Sequence, residues 1–90
     1  VLHADENYAF LKVVVAETSP LASRVLAESG LRENHQANVL AIHRKGQDIV
    51  APKGQDQILP GDTLVLIMPT SQADSVFSLL RGSELRSEQF

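Results

Sequence analysis

Ninety residues with eight Lys or Arg against eleven Asp or Glu, a formal net charge of −3, fit one small domain and give no basic footprint for a nucleic acid. The absence of cysteine excludes a disulfide framework and thiolate chemistry. The longest apolar run, Leu64 to Met68, is too short to span a bilayer, and no charged lead followed by an apolar stretch marks a signal peptide.

The chain begins at Val1 with polar ends and reads as one domain of a longer protein. Residues 1–9 carry no period and read as a linker or lead-in to a domain over 10–82. Phe10 to Ala16 is rich in β-branched residues and predicts a strand, with Leu11, Val13 and Val15 on one face and Phe10, Lys12 and Val14 on the other. Ser19-Pro20 predicts a helix start, because Ser caps well and Pro at the first helical position loses no hydrogen bond. Leu21, Ala22, Val25 and Leu26 would form its narrow apolar stripe, and Gly30 its left-handed C-terminal cap. A short polar connection then leads to Asn38.

Asn38 to Arg44, a Lys45-Gly46 turn and Gln47 to Ala51 predict a hairpin closed by Pro52. Val39 to Ile42 is apolar without a break, which predicts a first hairpin strand buried on both faces and a hairpin that the other elements pack upon. After a polar loop, Leu59-Pro60-Gly61-Asp62 predicts a type II turn in which Asp62 accepts backbone hydrogen bonds. Thr63 to Met68 is the candidate central strand, ended by Pro69. Ser71 is the expected cap of a second helix, where Ala73, Val76, Phe77 and Leu80 follow the i, i+3, i+4, i+7 spacing. Gly82 ends it, and Ser83 to Phe90 is a polar tail. The fold class is α+β: a β-α-β-β-β-α order with a mixed, mostly antiparallel sheet and two helices.

Taken in order, FLKVVVAE, SPLASRVLAESGLR, ANVLAIHRKGQDIVAP and LPGDTLVLIM resemble the TrkA C-terminal domain, also called the RCK C-terminal domain. The shared pattern includes Ser-Pro-Leu, Leu-Arg after the helix, Val-x-Ala-Ile-x-Arg-x-Gly-x-x-Ile-x-x-Pro and Gly-Asp-x-Leu, and spans about Phe10 to Leu80. The resemblance implies a regulatory module at the cytoplasmic face of the cell membrane, attached to a potassium channel, potassium uptake system or other ion transporter. It implies a homodimer, with the transporter or channel portion of the parent as further partner; the acidic balance, and aromatic residues that do not interleave with basic ones, argue against a nucleic acid. In some members a small ligand binds at the dimer interface, and in one branch that ligand is cyclic di-AMP.

By that resemblance, Arg32 and Asn38 are carried over as ligand contacts, and Arg44 and Pro52, inside the matched motif, complete the set. The chemistry suits the role: Arg offers a planar fork to phosphate oxygens and Asn can pair with a base edge. A two-fold cleft would present each twice to a symmetric ligand. The competing reading makes Arg32 a solvated cation, Asn38 a turn former, and Arg44 with Lys45 a charged turn protecting a sheet edge. The sequence departs from the cyclic di-AMP branch at Gly30, where an acidic residue is expected, and at Gln47 and Asp48, where a His is expected. Glu33 sets a negative charge beside Arg32. Another small anionic ligand is therefore the alternative.

His3, His35 and His43 show no metal-ligand spacing, though His35 beside Glu33 could report pH. Asp48, Asp56 and Asp62 lack the alternation of a calcium loop. No serine sits in a nucleophile elbow and no glycine-rich phosphate loop follows a strand, which argues against an enzyme. Two functions fit: a ligand-sensing regulatory domain, or a structural dimerisation module without a ligand. A soluble transcriptional regulator would need a DNA-binding domain elsewhere in its chain.

Overall fold

The apolar run at Thr63 becomes the middle of the sheet. A computed structural model describes Leu2–His3 and residues 6–82; the expected tail at 83–90, and residues 1, 4 and 5 of the lead-in, lie outside the described residues. Strands β1 (Leu2–His3), β2 (Tyr8–Val14), β3 (Asn38–Arg44), β4 (Gln47–Val50) and β5 (Thr63–Pro69) form one sheet in the order β1-β2-β5-β3-β4. Each neighbouring pair is antiparallel. The helices are α1 (Leu31–His35) and α2 (Ala73–Arg81). The α+β class and the number of helices agree with expectation, but the first helix does not lie where it was expected, and the sheet is antiparallel throughout rather than mixed.

β5 holds the centre because its alternate residues serve one core: Leu64, Leu66 and Met68 are buried, and they cluster with Ala9, Leu11, Val13 and Val15 beside β2. The inward face predicted for the first strand is therefore the observed one, although β2 begins at Tyr8 rather than Phe10. From α2, Ala73, Val76 and Leu80 close the core, while Phe77 of the predicted stripe is 40% exposed.

The hairpin is not the organising element. β3 and β4 form one side of the sheet, and within β3 only Ile42 is fully buried, so the expectation of two buried faces fails. A register shift between Val39 and Ala41 explains this: Leu40 is the extra residue of a bulge, 40% exposed, so an unbroken apolar run does not mean two covered faces.

The predicted first helix is also corrected. Ser19 does receive the Leu21 amide on its hydroxyl, as a capping residue would, but its hydroxyl also donates to the Leu79 carbonyl of α2. The chain then leaves the helical path at Ser23, whose φ is 73°. Ser23 donates to the Ile58 carbonyl, Ile58 donates back to Arg24, and Val25 bridges Gln57. An isolated helix this short is marginal, and pairing with the 54–58 segment supplies its backbone partners instead. Only a 3₁₀ turn, Leu26–Glu28, survives. Gly30, at φ 77°, thus opens α1 rather than closing a helix. Nor does Ser71 cap the second helix: a 3₁₀ turn over Thr70–Gln72, entered from Pro69, leads into α2 with no side-chain cap.

Candidate functional site

A cavity of about 240 Å³ lies where four short segments meet: the turn at Leu26–Ser29, the first turn of α1, the start of β3, and the loop Pro52–Gly54. Its floor is apolar, from Leu26, Leu31 and Val39, and its rim carries Arg32, Glu33, Asn38 and Lys53.

Local bonding explains why these segments stay together. The Ser29 hydroxyl donates to the Leu26 carbonyl at 2.8 Å and accepts the Leu31 amide at 3.2 Å, which fixes the turn to the start of α1. The Ala27 amide donates to the Gly54 carbonyl at 2.9 Å, and a Cβ at Gly54 would come within 3.1 Å of the Ala27 Cβ, so a side chain there would have to push this wall apart by a few tenths of an ångström. The Asp56 carboxylate accepts the Lys53 amide and shapes the loop. At the far end of α1, the His35 ring donates from Nδ1 to Gln72 Oε1 at 2.8 Å, joining the helix to the turn before α2. His35 therefore pairs with Gln72 and not with Glu33.

Backbone strain gathers around this cavity. Among the described residues the non-glycine positions with positive φ are Ser23 (73°), Gln36 (52°) and Ala51 (53°). Each leads into one wall: Ser23 into the 3₁₀ turn, Gln36 into Asn38, and Ala51 into Pro52. The Ala51 amide is held by the Leu40 carbonyl at 2.9 Å, at the bulge. Such conformations cost roughly 1–2 kcal/mol each and persist where surrounding structure over-determines them.

Of the four sequence-predicted contacts, Arg32, Asn38 and Pro52 line the cavity together. Among the described residues no hydrogen bond or ion pair engages the side chains of Arg32, Glu33, Asn38 or Lys53, so their polar ends are free for a ligand. Lys53, which the sequence places in a polar loop, joins them; its place directly after the motif's Pro52 is the available signal.

Arg44 stands apart. It ends the strand that Asn38 begins, roughly 20 Å away at the ordinary rise per residue. Its Nε and Nη2 donate to the two carboxylate oxygens of Asp62 at 2.9 and 2.7 Å, and Nη2 also donates to the Gln57 carbonyl at 2.8 Å. Asp62 is 1% exposed and accepts the Leu59 amide as well, the turn role expected of it. Burial works to raise the Asp62 pKa, but the hydrogen bonds from Arg44 and Leu59, with the Arg44 charge, hold it below the ordinary carboxylate value. The Asp62 hydrogen bond raises Arg44 in turn. Nearby, His43 and Asp48 face each other across the hairpin at 3.1 Å, both solvent-exposed.

Comparison with known proteins identifies the family. The TrkA-C domain family matches residues 10–81. This chain belongs to the TrkA-C domain family. A relative from Mycoplasma pneumoniae, the uncharacterized protein MG323 homolog, is 32% identical over 72 residues, covering 79% of this chain. The chain spans only 31% of that relative's length.

Among solved structures, the RCK_C domain dimer of S. agalactiae BusR in complex with c-di-AMP is similar at a TM-score of 0.65 and 21% identity, over 76% of this chain and 93% of that one. The C domain of the potassium transport protein KtrA in complex with c-di-AMP gives a TM-score of 0.67 at 19% identity, over 77% and 79% of the two chains. The GsuK channel gives 0.75 at 22% identity, covering 92% of this chain and 15% of that one. BusR has also been solved with its busAB-promotor DNA, as a chain of which this one covers 37%.

Proposed function

We propose that this TrkA-C domain senses a small anionic ligand at a cleft closed by two copies of the chain, and that the ligated dimer biases an ion transporter or channel at the cytoplasmic face of the cell membrane. The observation that carries this reading is the cavity itself, which gathers the free polar ends of Arg32, Asn38 and Lys53 beside Pro52. At about 240 Å³ it falls below the roughly 300–1,000 Å³ of sites that enclose a small molecule alone. Two such half-sites related by a two-fold axis would suit a symmetric ligand that bridges them.

The similarity to BusR and KtrA domains solved with c-di-AMP supports this compound as the first ligand to test. A bridging ligand that prefers one dimer geometry shifts the population of that geometry, and the membrane partner reads the shift. The reading is non-catalytic. Ser29 is the one hydroxyl among the lining residues, and its proton is committed to the Leu26 carbonyl while its oxygen accepts the Leu31 amide. DNA is not a partner in it, since Arg44 is engaged by Asp62 and Glu33 stands beside the rim cations.

Calorimetric titration of the domain with c-di-AMP tests the reading. We expect one ligand per two chains, and at least tenfold weaker binding in Arg32→Ala, whose exposed position leaves stability within about 0.5 kcal/mol. One ligand per chain, or unchanged affinity in the variant, would sink it.

One observation favours the second reading, a dimerisation module without a ligand. The sheet face away from the core carries Val50 at 76%, Tyr8 at 50% and Val14 at 46% exposure, beside half-buried Phe10, Val65 and Ile67. Burying that face between copies would make unfolding depend on chain concentration.

A further inference from the structure

Glu33 is the one rim group that a cleft for anions does not need. It shares the cavity rim with Arg32 and Lys53, and among the described residues neither cation is tied to it or to any other carboxylate. The rim therefore carries two free cations and one free carboxylate, a single net positive charge per chain. Without Glu33 it would carry two.

We propose that Glu33 is a charge filter, which lowers the affinity of the cavity for polyphosphates by a far larger factor than for ligands with one negative charge per chain, such as a phosphodiester. This rests on the cavity being an anion site, as proposed above. The physical basis is that repulsion scales with ligand charge. Two unit charges about 6 Å apart in a half-solvated cleft shift an equilibrium by about a factor of five. A monoanion loses that factor once, and the two cations outweigh the loss. A trianion loses it three times over, a factor of about one hundred, so discrimination grows steeply with each added phosphate charge. Glu33 thus takes away far more of the pull of the two cations on a di- or triphosphate than the roughly fivefold it costs a diester.

The filter acts on the phosphate, so it can be tested without the natural ligand. Amide chemical shifts of Arg32, Glu33, Asn38 and Lys53 are followed by NMR at low salt in the wild-type domain and in Glu33→Gln. The probes are dimethyl phosphate, with one negative charge, and pyrophosphate, with about three at pH 7.5. Glutamine keeps the size and the hydrogen-bonding oxygen while removing the charge. We expect Glu33→Gln to tighten dimethyl phosphate about fivefold and pyrophosphate by well over tenfold, approaching a hundredfold.

Equal gains for both probes, or no gain for either, would overturn the filter. If neither probe moves these amides in either protein, the anion site fails and the filter with it. If both probes bind as expected and c-di-AMP does not, the filter stands and the choice of c-di-AMP falls. Glu33→Asp, which retains the charge on a shorter stem, should keep the wild-type order of preference; a gain for pyrophosphate there equal to that of Glu33→Gln would refute the role of charge.

Discussion

Replacing Arg44 by Ala separates a structural arginine from a ligand-binding one. Asp62 is 1% exposed and accepts three hydrogen bonds, two from Arg44 and one from the Leu59 amide. In the variant a buried carboxylate keeps only the amide. Removing one partner of a fully buried pair costs about 3–5 kcal/mol. The Arg44 side chain is 24% exposed, so water can reach the vacated site, and a discounted loss of about 2 kcal/mol is the better figure. In a domain of this size that lowers Tm by about 8–16 °C.

Scanning calorimetry from pH 3 to 8 reads the effect and its cause. In the wild type the folded Asp62 pKa lies below its unfolded value, so the pair's contribution is full above about pH 4 and is lost as pH falls through the folded pKa. In Arg44→Ala, burial without a cation disfavours the carboxylate, so the deficit against wild type should be largest near neutrality and shrink below about pH 4. Binding of c-di-AMP by the folded variant should be unchanged. A Tm within 1 °C of wild type, or a deficit independent of pH, would refute the reasoning.

Two further predictions concern the packing around the site. Ser29→Ala removes the hydroxyl that joins Leu26 to Leu31, and should cost about 1 kcal/mol by urea denaturation. It should also speed hydrogen exchange at the Leu31 amide; unchanged protection there would mean that α1 is held by its buried Leu31 side chain alone. Leu66→Ala, at 0% exposure in the central strand, should cost about 3 kcal/mol, against less than about 0.5 kcal/mol for Val50→Ala at 76% in dilute solution. Comparable losses at the two positions would contradict the assignment of core and outer face.

The strands were legible because alternation along a pleated sheet is short-ranged: Leu11, Val13 and Val15 declare one face without reference to any other segment. The Pro-Gly turn before β5 was legible for a similar reason, and Gly61 takes the positive φ of 90° that it needs. The first helix was not legible. The groups that redirect Ser23 to Val25 sit at Gln57 and Ile58, over thirty residues away along the chain, and helix propensity is blind to them. The bulge at Leu40 misled in the same way, since an extra residue changes facing without changing composition. For the site, Arg32, Asn38 and Pro52 were within reach through the family pattern. Arg44 shares that pattern, and its bond to Asp62 could be seen only once the end of β3 met the turn before β5. Ser29 carried no pattern of its own, and Lys53 only its place directly after Pro52.

The left-handed backbone at Ala51 has a consequence for how this domain can change. A residue before proline is sterically restricted, and alanine has no preference for positive φ. What keeps Ala51 there is the Leu40 carbonyl across the hairpin, so the bulge on one strand and the Pro52 wall of the cavity form one mechanical unit. Side chains on β4 can drift freely, because most of them face solvent. The number of residues between Leu40 and Pro52 cannot. Inserting or deleting one would break the Leu40–Ala51 bond and swing the wall away, even with every residue of the rim intact. Divergence in this domain should therefore tolerate substitutions in the hairpin and exclude changes in its length.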